Sequence, residues 1–309
     1  MERKDRIDAF GALVLVTFSF LMGINQVMIK LVNAGFSPVF QAGLRSACAL
    51  VPVLLFALLT RKKLSVTDGS FWPGVLCGVL FSFEFLLLFM AFEFTAVSRA
   101  SVLFYTMPVW VAVAAHFLFP GERLTPRRIL GLAMAVAGVA WALLDRPGSM
   151  DGSLIGDLMC IVGAIFWAGI AITARATALS RSAPEMQLLY QLAVSAPVLL
   201  VLAPFFGEMI RDVTPLVIGL FSFQVIVVVS FGFLTWFWVL RIYPASDMTA
   251  FSFLAPLFGV LGGWLILGET ITVSIIGALI LVGVGIALIS WRPQATPPAP
   301  VRPAYGPRS

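Results

Sequence analysis

The chain has 309 residues, of which 60% are hydrophobic and only 11% charged. An ordinary soluble domain carries roughly a quarter charged residues, and a mean hydropathy of +1.02 leaves too little polar surface to meet water. A soluble enzyme, a disordered chain and a nucleic-acid-binding domain are set aside on these numbers. The net charge of +5 reads as loop charge that orients a membrane protein rather than as a polyanion site.

A spanning helix needs about 20 predominantly apolar residues. Ten such stretches follow one another at 10–32, 38–59, 72–92, 98–119, 127–144, 154–174, 184–206, 215–240, 246–267 and 271–291. Turn or charge signals separate them: Arg61-Lys62-Lys63, Pro120-Gly121-Glu122-Arg123, Pro147-Gly148 and Gly268-Glu269. The first apolar run lacks a convincing small-residue cleavage site and has a counterpart later in the chain, so it reads as a helix rather than a signal peptide. The segment 293–309 is Pro-rich without an apolar run and reads as a disordered cytoplasmic tail. The predicted fold is all-α, an integral membrane protein of ten transmembrane helices.

Lys and Arg set the orientation. With the N-terminus cytoplasmic, 15 of the 20 basic residues fall in inner segments, while Lys30, Arg45, Arg99, Arg146 and Arg211 stay outside or within helices. Both termini are then inside. Cys48, Cys77 and Cys160 lie in apolar stretches without close-spaced partners and read as small buried side chains, not as a disulfide or metal framework. The single histidine, His116, reads as a packing or helix-end residue. No metal or other cofactor is expected.

The chain is written twice. Ser82-Phe83-Glu84-Phe85-Leu86 recurs 148 residues later as Ser230-Phe231-Gly232-Phe233-Leu234, and the same offset lays Ser98 on Ser246, Ser101 on Thr249, Tyr105 on Phe253 and Pro108 on Pro256. One deletion later, Gly121-Glu122 falls on Gly268-Glu269 and Gly138 on Gly285. Near the front, Gly11 pairs with Gly156, Lys30 with Arg175, Pro38 with Pro184 and Gln41 with Gln187. Two copies, 8–145 and 152–291, hold five spans each. Five is odd, so the second copy enters the membrane from the other side. Such inverted repeats are an architecture of secondary transporters, with the substrate site near the midplane.

The opening helix around Phe20–Lys30, the run Ala96–Pro108 followed by Gly121-Glu122-Arg123-Leu124, and its repeat Pro244–Pro256 with Leu267-Gly268-Glu269 resemble the EamA type of the drug/metabolite transporter superfamily. The resemblance covers about residues 8–291. It implies a five-plus-five helix fold that moves small metabolites across a bacterial inner membrane, with export favoured over import.

An ionisable side chain at the bilayer centre is a functional hypothesis by default. Glu84 sits mid-span, and its counterpart is Gly232. Glu84 is expected to line a central cavity, binding a cationic group or exchanging a proton; the alternative is a carboxylate tied to a serine or backbone carbonyl. Ser98, Ser101, Tyr105 and Pro108 share one face of the fourth span, and Pro108 and Pro256 permit kinks, with Gly232 as space on the partner helix. Asn25, Gln26 and Lys30 lie on the first span, and Gln41 and Arg45 share a face of the second, mirrored by Gln187, Tyr190 and Gln191 on the seventh. Lys30 and Arg175, near helix ends, read as snorkelling anchors; Arg45, two turns inside, meets an acid or a substrate carboxylate. Trp167, Trp236 and Trp238 lie away from the interfacial belt and shape either the cavity or the lipid face. Glu122 and Glu269 read as helix-terminal charges, and the small residues of the fifth and tenth spans as close-packing positions, within a monomer or in a homodimer.

The candidate substrate-binding set is therefore Glu84, Asn25, Arg45, Ser101, Tyr105, Trp167, Tyr190, Trp236, Thr249 and Phe253, with Pro108, Pro256 and Gly232 as hinges. One histidine and isolated cysteines speak against a membrane enzyme. No phosphate-binding Gly-rich loop with Lys is present, which disfavours ATP-driven transport. The expected activity is secondary transport of a small amphiphilic metabolite, such as an amino acid or amine, by alternating access. A proton or counter-substrate as coupling partner, an importer on the same fold, and a channel or sensor remain open.

Overall fold

The computed structural model describes residues 8–62, 64–120, 122–144, 153–232, 235, 239, 242–243, 251 and 254–290. Helix α1 is Ala9–Val32, α2 Pro38–Leu59, α3 Phe71–Phe94, α4 Val97–Phe104, α5 Met107–Leu118 and α6 Pro126–Leu144. The second half continues with α7 Leu154–Ala176, α8 Pro184–Leu202, α9 Pro215–Phe223, α10 Leu254–Leu267 and α11 Val273–Ser290. Among the described residues nine helical stretches are long and apolar enough to cross a membrane, with α10 a shorter apolar helix. Helices suit this sequence because hydrocarbon offers no partner for an open backbone N–H or C=O.

The expected fourth span is two helices. Pro108 stands in the first turn of α5, where its missing N–H is harmless; continued as one helix, its ring would meet the carbonyl of Phe104. The chain turns at Tyr105–Thr106 instead, and the Leu103 carbonyl accepts both the Thr106 N–H at 3.3 Å and the Thr106 hydroxyl at 2.6 Å. The eighth span also departs from a plain α-helix. After α9 it widens into π-helix over Gln224–Gly232, with the Ser230 hydroxyl donating to the Val225 carbonyl five residues back at 2.8 Å. π-Helical turns concentrate at functional sites. The predicted start of the ninth span, 246–250, and the tail at 293–309 lie outside the described residues.

Counterpart contacts establish the inverted repeat. A Cβ on Gly131 would stand 2.5 Å from the Gly285 carbonyl, and one on Gly138 would stand 3.0 Å from the Ala278 carbonyl. Gly131 and Ala278 are counterparts, as are Gly138 and Gly285, so α6 and α11 meet isologously about a pseudo-two-fold axis. The chain starts behave alike: Gly11 packs on Tyr243, while its counterpart Gly156 packs on Phe94 and Thr95. The end of α1 and the start of α7 share a membrane face, because Lys30 Nζ donates to the Thr95 carbonyl at 3.2 Å and Ser153 N to the Phe94 carbonyl at 2.9 Å. The two halves therefore run in opposite senses.

Candidate functional site

Two opposite charges lie in the protein interior at the level of α2 and α3. Glu84 is 4% exposed and Arg45 3%, so neither faces lipid or water. The arginine is placed by aromatic rings: its guanidinium lies 4.5 Å from the centroid of Phe85 and 4.7 Å from that of Phe89, a cation–π arrangement. Burial costs both charges more than their mutual attraction returns, and Glu84 and Arg45 do not close into a salt bridge. The Oε2 atom of Glu84 has no hydrogen-bond partner. The alternative of a carboxylate tied down by a serine does not describe this oxygen; Ser82, on the same helix, donates to the Gly78 carbonyl at 2.7 Å.

The broken fourth span builds a polar and aromatic wall with α1 and α7. The Ser101 hydroxyl donates to Gln26 Oε1 at 2.7 Å, and the Gln26 side chain is also within reach of the Tyr105 hydroxyl. Trp167 of α7 stacks on Phe104 at 5.1 Å between ring centroids and meets Tyr105 edge-on at 5.8 Å. Gly163, one turn before Trp167, faces both the Phe104 ring and the backbone carbonyl of Glu84, which sets this wall against the α3 backbone at that position. Asn25, on α1 beside Gln26, is half-buried, and its Oδ1 atom has no partner. Helix α10 closes in because Gly259 has no side chain: a Cβ there would stand 3.0 Å from Ser101 Cβ. Gln224 was not anticipated. It is fully buried at the start of the π-helical segment, and Gln41 Nε2 donates to its Oε1 at 3.4 Å. The one sequence signal was a lone amide in an apolar run.

The hinge residues separate. Pro108 and Pro256, counterparts of each other, line one cavity of about 370 Å³ together with Val102, Tyr105 and Gly283. Its lining is apolar, and neither Glu84 nor Arg45 reaches it. Among the described site candidates, Tyr105 lines this cavity and also belongs to the aromatic wall. Gly232 faces Phe18 and Met22 of α1, so the space opposite Glu84 in sequence is not beside it in the fold. Trp236, Thr249 and Phe253, with Trp238, lie outside the described residues.

Tyr190 stands apart. Its hydroxyl is 3.2 Å from Ser70 Oγ, and its ring fills the place of a side chain at Gly74. It staples α8 to the beginning of α3. Lys30 and Arg175 are not bare snorkelling anchors either. Lys30 pairs with Glu269 at 3.3 Å and Arg175 with Glu122. Asp157, unremarked in the sequence, forms a fully buried pair with Arg99 at 2.6 Å, supported by the Thr95 hydroxyl at 2.8 Å. His116 accepts from Leu124 N at 3.2 Å, a helix-end role. Cys77 and Cys160 are buried as expected, whereas Cys48 is exposed.

Interior charges, a discontinuous helix and two antiparallel halves define a multi-pass membrane transporter, not an enzyme. The chain belongs to the EamA-like transporter family, whose pattern matches residues 9–144 and again 154–291. It is similar to the uncharacterized transporter YoaV of Bacillus subtilis (strain 168), 27% identical over 88% of this chain and 94% of that one. A probable amino-acid metabolite efflux pump of Escherichia coli (strain K12) is 26% identical over 94% and 98%. A crystal structure matches with a TM-score of 0.65 at 20% identity, covering 90% of this chain and 96% of that chain, a likeness of fold alone.

Proposed function

We propose that this transporter is a secondary carrier for a small zwitterionic metabolite of the amino-acid class, working by alternating access in a bacterial inner membrane with both termini cytoplasmic. Export is the favoured direction. The observation that carries the reading is the Glu84–Arg45 arrangement. A carboxylate oxygen without a partner and a guanidinium held on two rings present opposite charges in the low-dielectric interior, where each is costly alone. A ligand with both an ammonium and a carboxylate group satisfies both at once, and Trp167, Phe104 and Tyr105 offer apolar contact for its side chain. The name of the Escherichia coli relative points to the same class.

The test is binding selectivity on purified full-length protein. A panel of L-amino acids is screened by thermal shift, and every binder is compared with its decarboxylated amine and its deaminated acid. The reading expects the amino acid to bind more tightly than either truncated form. An amine or an acid that binds as tightly as the parent amino acid refutes it.

A further inference from the structure

Lys30 lies in the last turn of α1, and its ammonium reaches Glu269 Oε1 at 3.3 Å. Glu269 belongs to the other half, in the loop after α10. Its two oxygens also accept the backbone N–H groups of Val97 and Ser98, at 2.7 and 2.9 Å, where an anion is favoured at the start of α4. One carboxylate of the second half thus clasps the first and fourth spans of the first half. On the opposite face the counterparts repeat the clasp with the halves exchanged: Arg175 of α7 makes a two-pronged pair with Glu122 of the first half and rests on the Phe119 ring at 4.3 Å. The two clasps are not equally shut. Side-chain exposures are 33% and 8% for Lys30 and Glu269, against 46% and 24% for Arg175 and Glu122.

We infer that these two clasps are the gates of the transport cycle, one on each membrane face. Each ties the first helix of one half to the loop that follows the fourth span of the other. Glu269 further holds α4, the short helix that carries Ser101, so releasing this clasp frees the start of that helix. The pseudo-two-fold axis makes opening one face and closing the other equivalent movements of exchanged parts. The Gly-Glu repeat is therefore gate chemistry rather than a helix-end ornament.

This inference rests on the alternating-access reading, but its test needs no substrate, so a wrong ligand class and a wrong gate fail separately. The probe is a membrane-impermeant maleimide, applied from either side of oriented vesicles holding the full chain. Cys48, Cys77 and Cys160 are replaced by alanine, and Asn25→Cys is the single reporter. Glu269→Gln is expected to speed labelling from the Lys30 face by on the order of fivefold or more, without speeding it from the other face. Glu122→Gln is expected to do the reverse. Glutamine keeps only one acceptor oxygen for the two backbone N–H groups of Val97 and Ser98, and Lys30→Met and Arg175→Met, which leave both carboxylates intact, provide a second route to the same two results if a glutamate variant does not fold. Labelling that stays unchanged from both faces, or rises equally on both, overturns the gates.

Discussion

Glu84→Gln separates a ligand-binding carboxylate from a structural one. The substitution keeps the shape of the side chain and removes its charge. Because Glu84 Oε2 has no hydrogen-bond partner, the folded protein loses no bond, only the attraction of Arg45 across a gap too wide for a salt bridge. The burial cost of the carboxylate is relieved at the same time. The two effects oppose each other, and the melting temperature is expected to change little. Binding behaves differently. A hydrogen bond to a charged group contributes about 1.5–3 kcal/mol, so loss of an ammonium–carboxylate contact raises Kd for an amino acid roughly 10- to 150-fold. Affinity for the matching acid, which lacks the ammonium group, is expected to be unchanged. Scanning fluorimetry and equilibrium binding on the same purified preparation give both numbers. A fall of several degrees in Tm with Kd intact would make Glu84 a packing residue and refute the reasoning.

Other expectations follow from contacts outside the charged pair. Asp157→Asn leaves Arg99 buried at 3% exposure without its anion, and a loss of about 3–5 kcal/mol is expected, read as a large fall in Tm. Gly285→Ala places a methyl group 2.5 Å from the Gly131 carbonyl, so α6 and α11 must part; about 1–3 kcal/mol of destabilisation is expected in the same assay. Tyr190→Phe removes only the 3.2 Å contact with Ser70, which predicts a loss of about 0.5–1.5 kcal/mol and unchanged Kd. A Tyr190→Phe variant with normal stability and weakened binding would return Tyr190 to the site.

The architecture was readable because duplication leaves a long, nearly constant offset in the sequence, and an odd number of spans per copy forces the inversion. The break at Tyr105–Thr106 was half-visible: Pro108 announced a disturbance, but a kink and a break read alike until Thr106 is seen closing the turn onto the Leu103 carbonyl. Partners were the part that sequence spacing does not contain. Glu269 contacts Val97, 172 residues earlier, and Lys30, 239 residues earlier, so its role emerges only when the two halves are laid about their axis. Asp157 opens an apolar helix like any first-turn acid, and its arginine is 58 residues upstream. Tyr190 shares a face with Gln187 and Gln191, but periodicity does not say that this face meets Gly74 rather than the interior. Glu84 and Arg45 stood out in the sequence because scarcity of charge in the spans was itself the signal.

Whether the interior charge pair of a carrier holds the substrate is decided by counterflow in proteoliposomes. Vesicles loaded with an unlabelled amino acid that binds are diluted into trace labelled amino acid, and the internal label is followed. A carrier of this kind gives a transient overshoot that saturates with concentration and is abolished by Glu84→Gln. Flux linear in concentration, or an undiminished overshoot in Glu84→Gln, would contradict it.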